Sequence, residues 1–252
     1  MKAWLTSVCI ILCYIFALTA CKPSQSAQAS ESINANNYES FWIWGNIKSA
    51  PYLSQAKELY ILQGNIHFDR SPKQSILTAQ GIAPTHMPHQ KIWLVYRNHH
   101  LNWNNNELIS ILKRVKRWEN MGNRIEGIQI DFDAKTQNLH DYAVFLTQLR
   151  SQLPRKYKLS ITGLMDWSNL QNTKTLQLLR QSIDEIAIQT YQGSTTIPNY
   201  PNYLSKIAKL NLPFKIGLVQ YGQWDRSIDF TNNPHFKGYI VFLLREPHNS
   251  NY

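Results

Sequence analysis

Cysteine is scarce in this sequence. Its 252 residues contain three cysteines, and the last of them is Cys21. The chain beyond Cys21 can therefore form no disulfide and can use no thiolate as a nucleophile or a metal ligand. Its stability has to come from buried apolar side chains, and its length suffices for one large domain with a substantial core or for two small ones.

Motifs that would indicate a cofactor or a nucleic acid are also missing. The turn after the first apolar run, Trp44-Gly45-Asn46, has none of the glycine-rich pattern that binds phosphates in open doubly wound sheets. The histidines show neither H-x-H nor H-E-x-x-H spacing, so loop histidines are favoured over metal ligands, although one of them could complete an oxygen-rich site. We predict no cofactor and no nucleic-acid partner, and the question of a metal stays open.

A long apolar run occurs only at the N-terminus. Lys2 precedes an almost unbroken apolar stretch over residues 4–18, which is shorter than the roughly 20 residues that a membrane-spanning helix needs. A basic start, an apolar run and small residues before a cleavage point are typical of a secretory signal peptide, here residues 1–20.

The residues Leu18-Thr19-Ala20-Cys21 resemble the lipobox of bacterial lipoproteins. The resemblance implies cleavage before Cys21, acylation of Cys21 and anchoring of the chain to a lipid bilayer of the bacterial cell envelope. The alternative is an ordinary signal peptide followed by a chance cysteine. Lys22 stands where an aspartate would favour retention in the inner membrane, and by resemblance to enterobacterial sorting it implies the periplasmic face of the outer membrane.

The segment after Cys21 is polar. Residues 22–37 are mostly Ser, Ala, Gln and Asn, which predicts a flexible tether over residues 21–37 and a folded, monomeric domain over residues 38–252. The formal net charge is +10. Its clustered part lies on a predicted helix and is typical of a solvated helix face, but a basic surface could also attract anionic envelope polymers or lipid head groups.

Eight short runs rich in Ile, Val, Leu, Tyr and Phe indicate β-strands. They cover residues 41–44, 59–63, 92–97, 127–133, 159–164, 185–191, 214–221 and 239–244. Helical spacing of apolar residues predicts helices over residues 104–118, 139–153, 168–183 and 200–210. Alternating strands and helices imply a parallel sheet, and this pattern predicts a single α/β domain, a (β/α)₈ TIM-like barrel whose last helix is missing or very short. The competing architecture is an open doubly wound sheet.

One predicted strand carries an unusual pattern of charge. In residues 125–133 (I-E-G-I-Q-I-D-F-D), apolar side chains alternate with Gln129, Asp131 and Asp133. Side chains alternate between the two faces of a strand, so these three polar groups share one face while the apolar groups pack under helices. Two carboxylates about 6–7 Å apart along a strand raise the pKa of one of them. The pattern therefore predicts an acid–base pair that works near neutral pH.

Polar and aromatic residues at strand ends are the candidate site residues, because barrel sites form at the carboxyl ends of the strands. Asp131 and Asp133 are the candidate catalytic residues. The candidates for binding substrate are Trp44, Arg97, Gln129, Asp166, Trp167, Gln189, Tyr191 and Tyr221. A carboxylate pair near aromatic side chains is suited to cleaving glycosides. Alternatively, the aspartates cap the next helix and pair with Arg97 or Arg245, hold a metal, or bind a ligand without catalysis.

The octapeptide E-G-I-Q-I-D-F-D at residues 126–133 resembles the fourth-strand signature D-G-I-D-I-D-W-E of chitinase-like glycoside hydrolases. The resemblance implies that Asp133 protonates the glycosidic oxygen, that Asp131 assists it and orients an acetamido group, and that Tyr191 helps to hold that group. This sequence departs from the signature in three ways. Position 133 carries the shorter aspartate, the inner aspartate is Gln129, and the last predicted strand lacks a tryptophan.

A closer resemblance is to a bacterial family of unknown function. Its core pattern, G-[VI]-Q-[LI]-D-F-D-A, then Y-x-x-F-L-x-x-L-R-x-x-L-P, then L-S-I-T-x-L-x-x-W, is matched at residues 127–134, 142–154 and 159–167. This resemblance implies that Gln129 and Asp133 belong to the family's own pattern. We predict an envelope-anchored lipoprotein whose barrel binds a carbohydrate and acts on a cell-wall or surface glycan by carboxylate acid–base chemistry. The alternatives are a non-catalytic glycan-binding or scaffold barrel and a metal-dependent hydrolase.

Overall fold

A computed structural model describes residues 30–45, 51–69 and 73–244 of the chain. The predicted signal peptide, Cys21 and Arg245 lie outside these residues, as does any final helix after residue 244. In the described part of the chain, no helix is both long enough and apolar enough to cross a membrane.

Eight parallel strands form a closed barrel, as predicted. They are β1 (Ser40–Ile43), β2 (Glu58–Asp69), β3 (Lys91–Asn98), β4 (Arg124–Asp131), β5 (Lys158–Gly163), β6 (Glu185–Gln189), β7 (Phe214–Val219) and β8 (Phe236–Phe242). Each strand pairs with the next in the chain, and β1 pairs with both β2 and β8. An open doubly wound sheet would leave two free edges, so that alternative is wrong.

Four α-helices lie on the outside of the barrel, after strands β3 to β6. They are α1 (Asn105–Asn120), α2 (Leu139–Gln152), α3 (Thr173–Ser182) and α4 (Tyr200–Ile207). A capping box begins α1, because the Asn104 side chain accepts a hydrogen bond from the backbone of Asn106 and the Glu107 side chain accepts one from the backbone of Asn104. Pro154, which cannot continue a helix, follows the end of α2. The connection from β7 to β8 contains no helix.

Three small strand pairs lie outside the barrel, and the sequence pattern predicts none of these pairings. Gln74–Ala79 pairs antiparallel with the last six residues of β2. Tyr191–Gln192 pairs with Thr195–Thr196, and Ser30–Ser32 pairs with Gln223–Asp225. These strands are short and polar, so their partners define them rather than any alternation of apolar residues.

The predicted boundary between tether and domain at residue 38 is corrected by the N-terminal pairing. Ser30–Ser32 is a strand, and Ala35–Asn37 forms a short 3-10 helix that the Asn34 side chain caps. Ile33 and Ala35 are almost fully buried, and backbone hydrogen bonds join Ile33 to Tyr221 and Gly222. Two apolar side chains and a partner strand are thus enough to order a segment whose composition predicts flexibility. The described part of the folded domain therefore includes residues 30–37.

The barrel has two apolar layers. Ile128 and Ile130 of β4 face outward and pack with the helices, as their alternation predicts. The interior holds a second cluster of buried side chains. This cluster comprises Trp42, Tyr60, Leu62, Trp93, Val95, Ala187 and Ile240. A Cβ atom added at Gly217 would lie 2.7 Å from the Trp42 ring, so the absence of a side chain there makes room for the indole.

A chain of polar groups crosses the interior beside the aromatic rings. The Trp42 indole donates to Gln129 Oε1 at 2.7 Å, and Gln129 Nε2 donates to Ser160 Oγ at 2.8 Å. Ser160 and Tyr60 both donate to Glu185 Oε1, at 2.9 and 2.7 Å. Every polar group in this chain has a partner, which is what makes its burial tolerable.

Lys215 supplies the positive charge of the interior. Its ammonium forms an ion pair with Glu58 and lies 4.0 Å from a carboxylate oxygen of Glu185. The Trp93 indole donates to the other oxygen of Glu58 at 2.7 Å. Lys215 is only 6% exposed. Its charge therefore balances two carboxylates, the buried Glu185 and the partly buried Glu58.

We predict that Lys215→Ala lowers the free energy of unfolding by about 3 kcal/mol or more, because it leaves the partly buried Glu58 and the buried Glu185 without a cation. Lys57→Ala is the matched control, since the pair of Lys57 with Glu39 is largely exposed and should contribute less than about 1 kcal/mol. Urea unfolding of the two variants measures the difference. Equal losses of unfolding free energy in the two variants would show that the ion pair of Lys215 stabilises the protein no more than the exposed pair of Lys57 does.

Candidate active site

A cleft of about 620 Å³ opens at the carboxyl ends of the barrel strands. Asp131 and Asp133 line it together, as their alternation on the strand predicts. The other residues lining the cleft are Trp44, Arg97, Lys135, Leu164, Met165, Gln189, Tyr191, Gln192, Gly193, Ile197 and Phe242. These side chains come from the ends of several strands and from the loops that follow them, which is the usual construction of a barrel site.

Asp131 is the last residue of β4 and the more deeply placed carboxylate. Its side chain is 6% exposed and accepts a hydrogen bond from Thr162 Oγ1 at 2.9 Å. Burial raises the pKa of Asp131 to about 6, and the negative charge of Asp133 adds to this effect. The hydrogen bond from Thr162 and the charge of Arg97 oppose it. Asp131 can therefore bind and release a proton close to neutral pH.

Asp133 lies in a tight turn just beyond β4. The backbone N–H of Ala134 donates to the carbonyl of Phe132 at 2.8 Å, and this turn carries Asp133 to the mouth of the cleft. Phe132 points the other way, where its ring packs against Tyr142 of α2 at 5.0 Å. The Asp133 side chain is exposed, so it is placed to meet a ligand directly.

Trp44, Tyr191 and Phe242 form an aromatic wall of the same cleft. The Phe242 ring stacks on Tyr191 at 5.6 Å and meets Trp44 edge to face at 5.4 Å. Burial raises the pKa of Tyr191 well above its usual value, so its hydroxyl stays protonated and can donate. The indole nitrogen of Trp44 is buried and has no hydrogen-bond partner among the residues that the structure describes. Aromatic side chains and the unused indole donor of Trp44 suit a ligand with both apolar and hydroxylated surfaces.

Two cationic side chains, Arg97 and Lys135, also line the cleft. The Arg97 guanidinium lies over the Trp44 ring, 5.3 Å from its centroid. Within the described residues Arg97 forms no ion pair, and the residue that precedes α2 in the capping position is Asn138. The described residues therefore do not show the aspartates capping the next helix or forming an ion pair with Arg97, and Arg245, the other partner of that alternative, lies outside them.

Four predicted site residues are among the described residues but do not line the cleft. Gln129 is fully buried below it, and its amide is committed to Trp42 and Ser160. Trp167 is also fully buried, and its indole donates to the carbonyl of Ala134 at 2.7 Å. Gln129 and Trp167 shape the site from behind rather than touching a ligand, because each of these polar groups already has a partner.

The other two predicted site residues that do not line the cleft are Asp166 and Tyr221. Asp166 accepts hydrogen bonds from the backbone and the hydroxyl of Thr136, at 2.8 and 3.0 Å, and so fixes the loop after β4. Tyr221 is 62% exposed and has a φ of 64°. This left-handed backbone turns its side chain out to solvent instead of along the line of β7. The remaining predicted binding residues, Trp44, Arg97, Gln189 and Tyr191, all line the cleft.

Among the residues that line the cleft but were not predicted from the sequence, Phe242 is the most informative. It stands on the last strand, where the chitinase-like signature has a tryptophan and where the sequence shows only a phenylalanine. Ile240 faces the barrel interior, so alternation along β8 also turns Phe242 inward. The alternation of the strand therefore predicts the inward position of Phe242. Lys135, Gln192 and Ile197 come from loops, for which no periodic signal exists.

His99 interacts electrostatically with Arg97, Asp133, His67 and His100. Burial and the charge of Arg97 lower the pKa of His99, and the charge of Asp133 acts in the opposite direction. Across residues 30–45, 51–69 and 73–244, no three His, Cys, Asp or Glu side chains are grouped so that they could hold a metal ion.

The fold and the cleft define a class: a closed (β/α)₈ barrel with a carboxylate pair and an aromatic wall at the carboxyl ends of its strands. The chain belongs to the family described as Domain of unknown function (DUF3142), whose model matches residues 91–223, just over half of the sequence. The matched segment contains both Asp131 and Asp133. The predicted membership of a family of unknown function is thereby confirmed. No curated protein matches the chain.

Solved structures share the barrel. The xylanase and alpha-amylase inhibitor protein XAIP-II of Scadoxus multiflorus is 10% identical, with a TM-score of 0.52 over 81% of this chain and 92% of its own. The spore cortex-lytic enzyme SleL of Bacillus cereus is 16% identical, with a TM-score of 0.41 over 71% of this chain and 51% of its own. This chain therefore spans about half the length of SleL.

The chitinase domain of the spore coat protein CotE of Clostridium difficile is 11% identical, with a TM-score of 0.46 over 81% of this chain and 71% of its own. Of the three structures, XAIP-II alone exceeds a TM-score of 0.5, and at 10% identity the likeness is one of fold.

We predict that Asp131→Asn stabilises the protein at neutral pH and leaves it unchanged in acid. The raised pKa means that the folded state holds a proton which the unfolded state releases, so the contribution of Asp131 to stability is present below its unfolded pKa of about 3.8 and is lost as the pH rises through about 6. The free energy of unfolding of the variant should exceed that of the wild type by about 1–3 kcal/mol near pH 7.5 and match it near pH 4.

Urea unfolding at the two pH values measures this difference, and Asp133→Asn is the control. The Asp133 side chain is exposed, so its substitution should change the free energy of unfolding by less than about 0.5 kcal/mol at either pH. A loss of stability in Asp131→Asn at neutral pH would show that the carboxylate is held in its charged form.

Proposed function

We propose that the cleft hydrolyses a glycan of the cell wall or cell surface by acid–base chemistry of Asp131 and Asp133. The observation that carries this proposal is a buried carboxyl group whose pKa is raised to about 6, next to an exposed carboxyl group in one cleft. Two carboxyl groups in different environments can divide the tasks of holding and delivering a proton. The aromatic wall of the cleft offers the flat surface on which sugar rings stack.

The proposed reaction uses the two groups in sequence. Asp133, at the mouth, donates a proton to the glycosidic oxygen while the bond from that oxygen to the anomeric carbon breaks. Water then adds to the anomeric carbon and returns one proton to the carboxylates. Asp131, whose pKa is raised to about 6, lies behind Asp133 and can take up and release a proton of the pair near that pH. Gln189 and Tyr191 would hold hydroxyl or acetamido groups of the sugar.

We further propose that the barrel is held at the periplasmic face of a bacterial envelope membrane through an acylated Cys21. The lipobox-like residues 18–21 and the preceding apolar run support this location. Lys22 supports the outer membrane over the inner membrane. Replacing Cys21 with serine would then release the protein from the membrane fraction without changing its fold.

A second candidate is a non-catalytic glycan-binding barrel. It is favoured by Asp133 itself, because the carboxyl group of an aspartate sits about 1.5 Å behind that of the glutamate in the chitinase-like signature. The name of XAIP-II, a protein that shares this barrel, describes an inhibitor of enzymes rather than an enzyme. In this case the cleft would bind oligosaccharides without turning them over.

We predict that Asp133→Asn abolishes hydrolysis in a screen of glycan fragments, while oligosaccharide binding and the melting temperature stay close to those of the wild type. The reason is that the amide fills the same space but has no proton to donate. The protein for this screen should retain residues 30–37, which belong to the fold. Binding without turnover in the wild type would support the second candidate, and a collapse in stability of Asp133→Asn would indicate a structural role.

A further inference from the structure

Arg97 differs from the other shielded cations of the barrel in having no acceptor among the described residues. Four basic side chains in the described part of the chain are buried or half-buried, namely Arg97, Arg114, Arg150 and Lys215. The last three each donate to an oxygen atom of the protein. The Arg97 guanidinium packs on the Trp44 ring, and no residue that the structure describes accepts a hydrogen bond from it. Its N–H donors are therefore available to a ligand of the cleft.

Trp44 holds the guanidinium in place. The two side chains line the same cleft, and the guanidinium carbon lies 5.3 Å from the centroid of the indole. Contact with an aromatic ring restricts the motion of the planar guanidinium. The parallel N–H groups of a guanidinium fit the two oxygens of a carboxylate or of a phosphate. Arg97 is therefore preorganised to bind an anion.

An anion on Arg97 would lie beside the two carboxyl groups of the cleft. Arg97 on β3 is directly paired with Asp131 on β4, and neighbouring strands are about 4.8 Å apart. The charge of Arg97 accordingly acts against the rise in the pKa of Asp131. Within the described residues, however, neither Asp131 nor Asp133 forms an ion pair with Arg97. An anionic group bound there would therefore belong to a sugar next to the cleaved bond.

Lys135 supplies a second cation on the other side of the carboxyl groups. It follows β4 and lines the cleft, and its neighbour Thr136 is held by Asp166, which follows β5. The strands β3 and β5 flank β4, so Arg97 and Lys135 stand on opposite sides of the carboxyl pair. Lys135 forms no ion pair with the described residues. Apart from these two cations and the two aspartates, the residues that line the cleft carry no fixed charge.

From this arrangement we propose that the substrate is an acidic saccharide, in which a carboxylate or phosphate on a sugar beside the cleaved bond binds Arg97. The inference rests on the proposed function and names the substrate class of the same cleft. A neutral saccharide displaces water from the guanidinium without supplying an acceptor of equal strength, whereas an anion forms charge-assisted hydrogen bonds with it. Lys135 binds a second anionic group where the charged sugar repeats along the chain. The formal charge of +10 attracts a polymer of this kind to the protein.

The test compares oligosaccharides that differ in charge. A β-linked oligomer in which N-acetylglucosamine alternates with N-acetylmuramic acid carries free carboxylates, and its methyl ester is the uncharged form. A β-linked N-acetylglucosamine oligomer with and without phosphate on its primary hydroxyls gives the corresponding pair for phosphate. Binding is measured by titration calorimetry with the full-length Asp133→Asn protein, so that no oligomer is consumed, and the pair with the larger preference identifies the anion.

We predict that an anionic form binds at least about tenfold more tightly than its uncharged counterpart, because hydrogen bonds to a charged pair are the stronger ones. Arg97→Gln, added to Asp133→Asn, should reduce this preference to less than about twofold, since the amide has no charge. Arg97→Lys keeps the charge without the parallel donors and should show an intermediate preference. Lys113→Gln is the matched control, because it removes one charge from the exposed face of α1 and should leave the preference unchanged.

Equal affinity for the charged and uncharged forms of both pairs, or a preference that survives Arg97→Gln, would overturn the inference. Absence of binding by all four oligomers would overturn it as well. Melting curves check that each variant is folded. If Arg97→Gln is unfolded, Arg97→Lys decides, and a preference as large as that of Asp133→Asn alone would contradict recognition by the guanidinium.

Hydrolysis of the same oligomers by the wild-type protein is followed separately. Equal cleavage of charged and uncharged forms would leave the proposed hydrolysis standing and overturn the substrate class. Selective binding of an anionic form without any turnover would overturn the proposed hydrolysis and leave the acidic saccharide as the ligand of a non-catalytic barrel.

Discussion

The polar chain that crosses the barrel interior from Trp42 through Gln129 and Ser160 to Glu185 determines where the chemistry of this protein can lie. Its side chains fill the middle of the barrel, and they are hydrogen-bonded to one another. A ligand therefore cannot enter below Gln129. The first polar group of β4 above that level is Asp131, which accepts a hydrogen bond from Thr162. The interior thus closes the floor of the cleft and leaves Asp131 as its deepest ionisable group.

The same strand gives its two aspartates different environments. Asp131 is covered by the barrel wall, and burial raises its pKa, while Asp133 stands two residues further, beyond the turn, in contact with solvent. Neither is neutralised by an ion pair with Arg97, whose guanidinium lies over Trp44. A buried structural pair would show the opposite arrangement, with arginine sealing both carboxylates. The different environments of Asp131 and Asp133 are therefore consistent with a site in which the two carboxyl groups exchange a proton.

The fold was predictable from the sequence, because the eight barrel strands are short apolar runs and the helices between them have regular spacing. The position of the site followed from the same logic, since alternation places Asp131 and Asp133 on one face. The role of Gln129 was not predictable in this way. Alternation puts it on the face of the aspartates, but depth in the barrel, which a strand pattern does not encode, makes it part of the floor. The ordering of residues 30–37 depends on a partner strand almost two hundred residues away, and Phe242 lines the cleft from the last strand, which has no tryptophan.

The central claim is that burial in the cleft raises the pKa of Asp131 to about 6. A carbon-13 NMR titration of the Asp131 carboxyl group, assigned by comparison with Asp131→Asn, measures this directly. A midpoint at about pH 6 is expected. A midpoint at or below about pH 4, the ordinary value for an aspartate, would contradict it and would make Asp131 a permanently charged structural group.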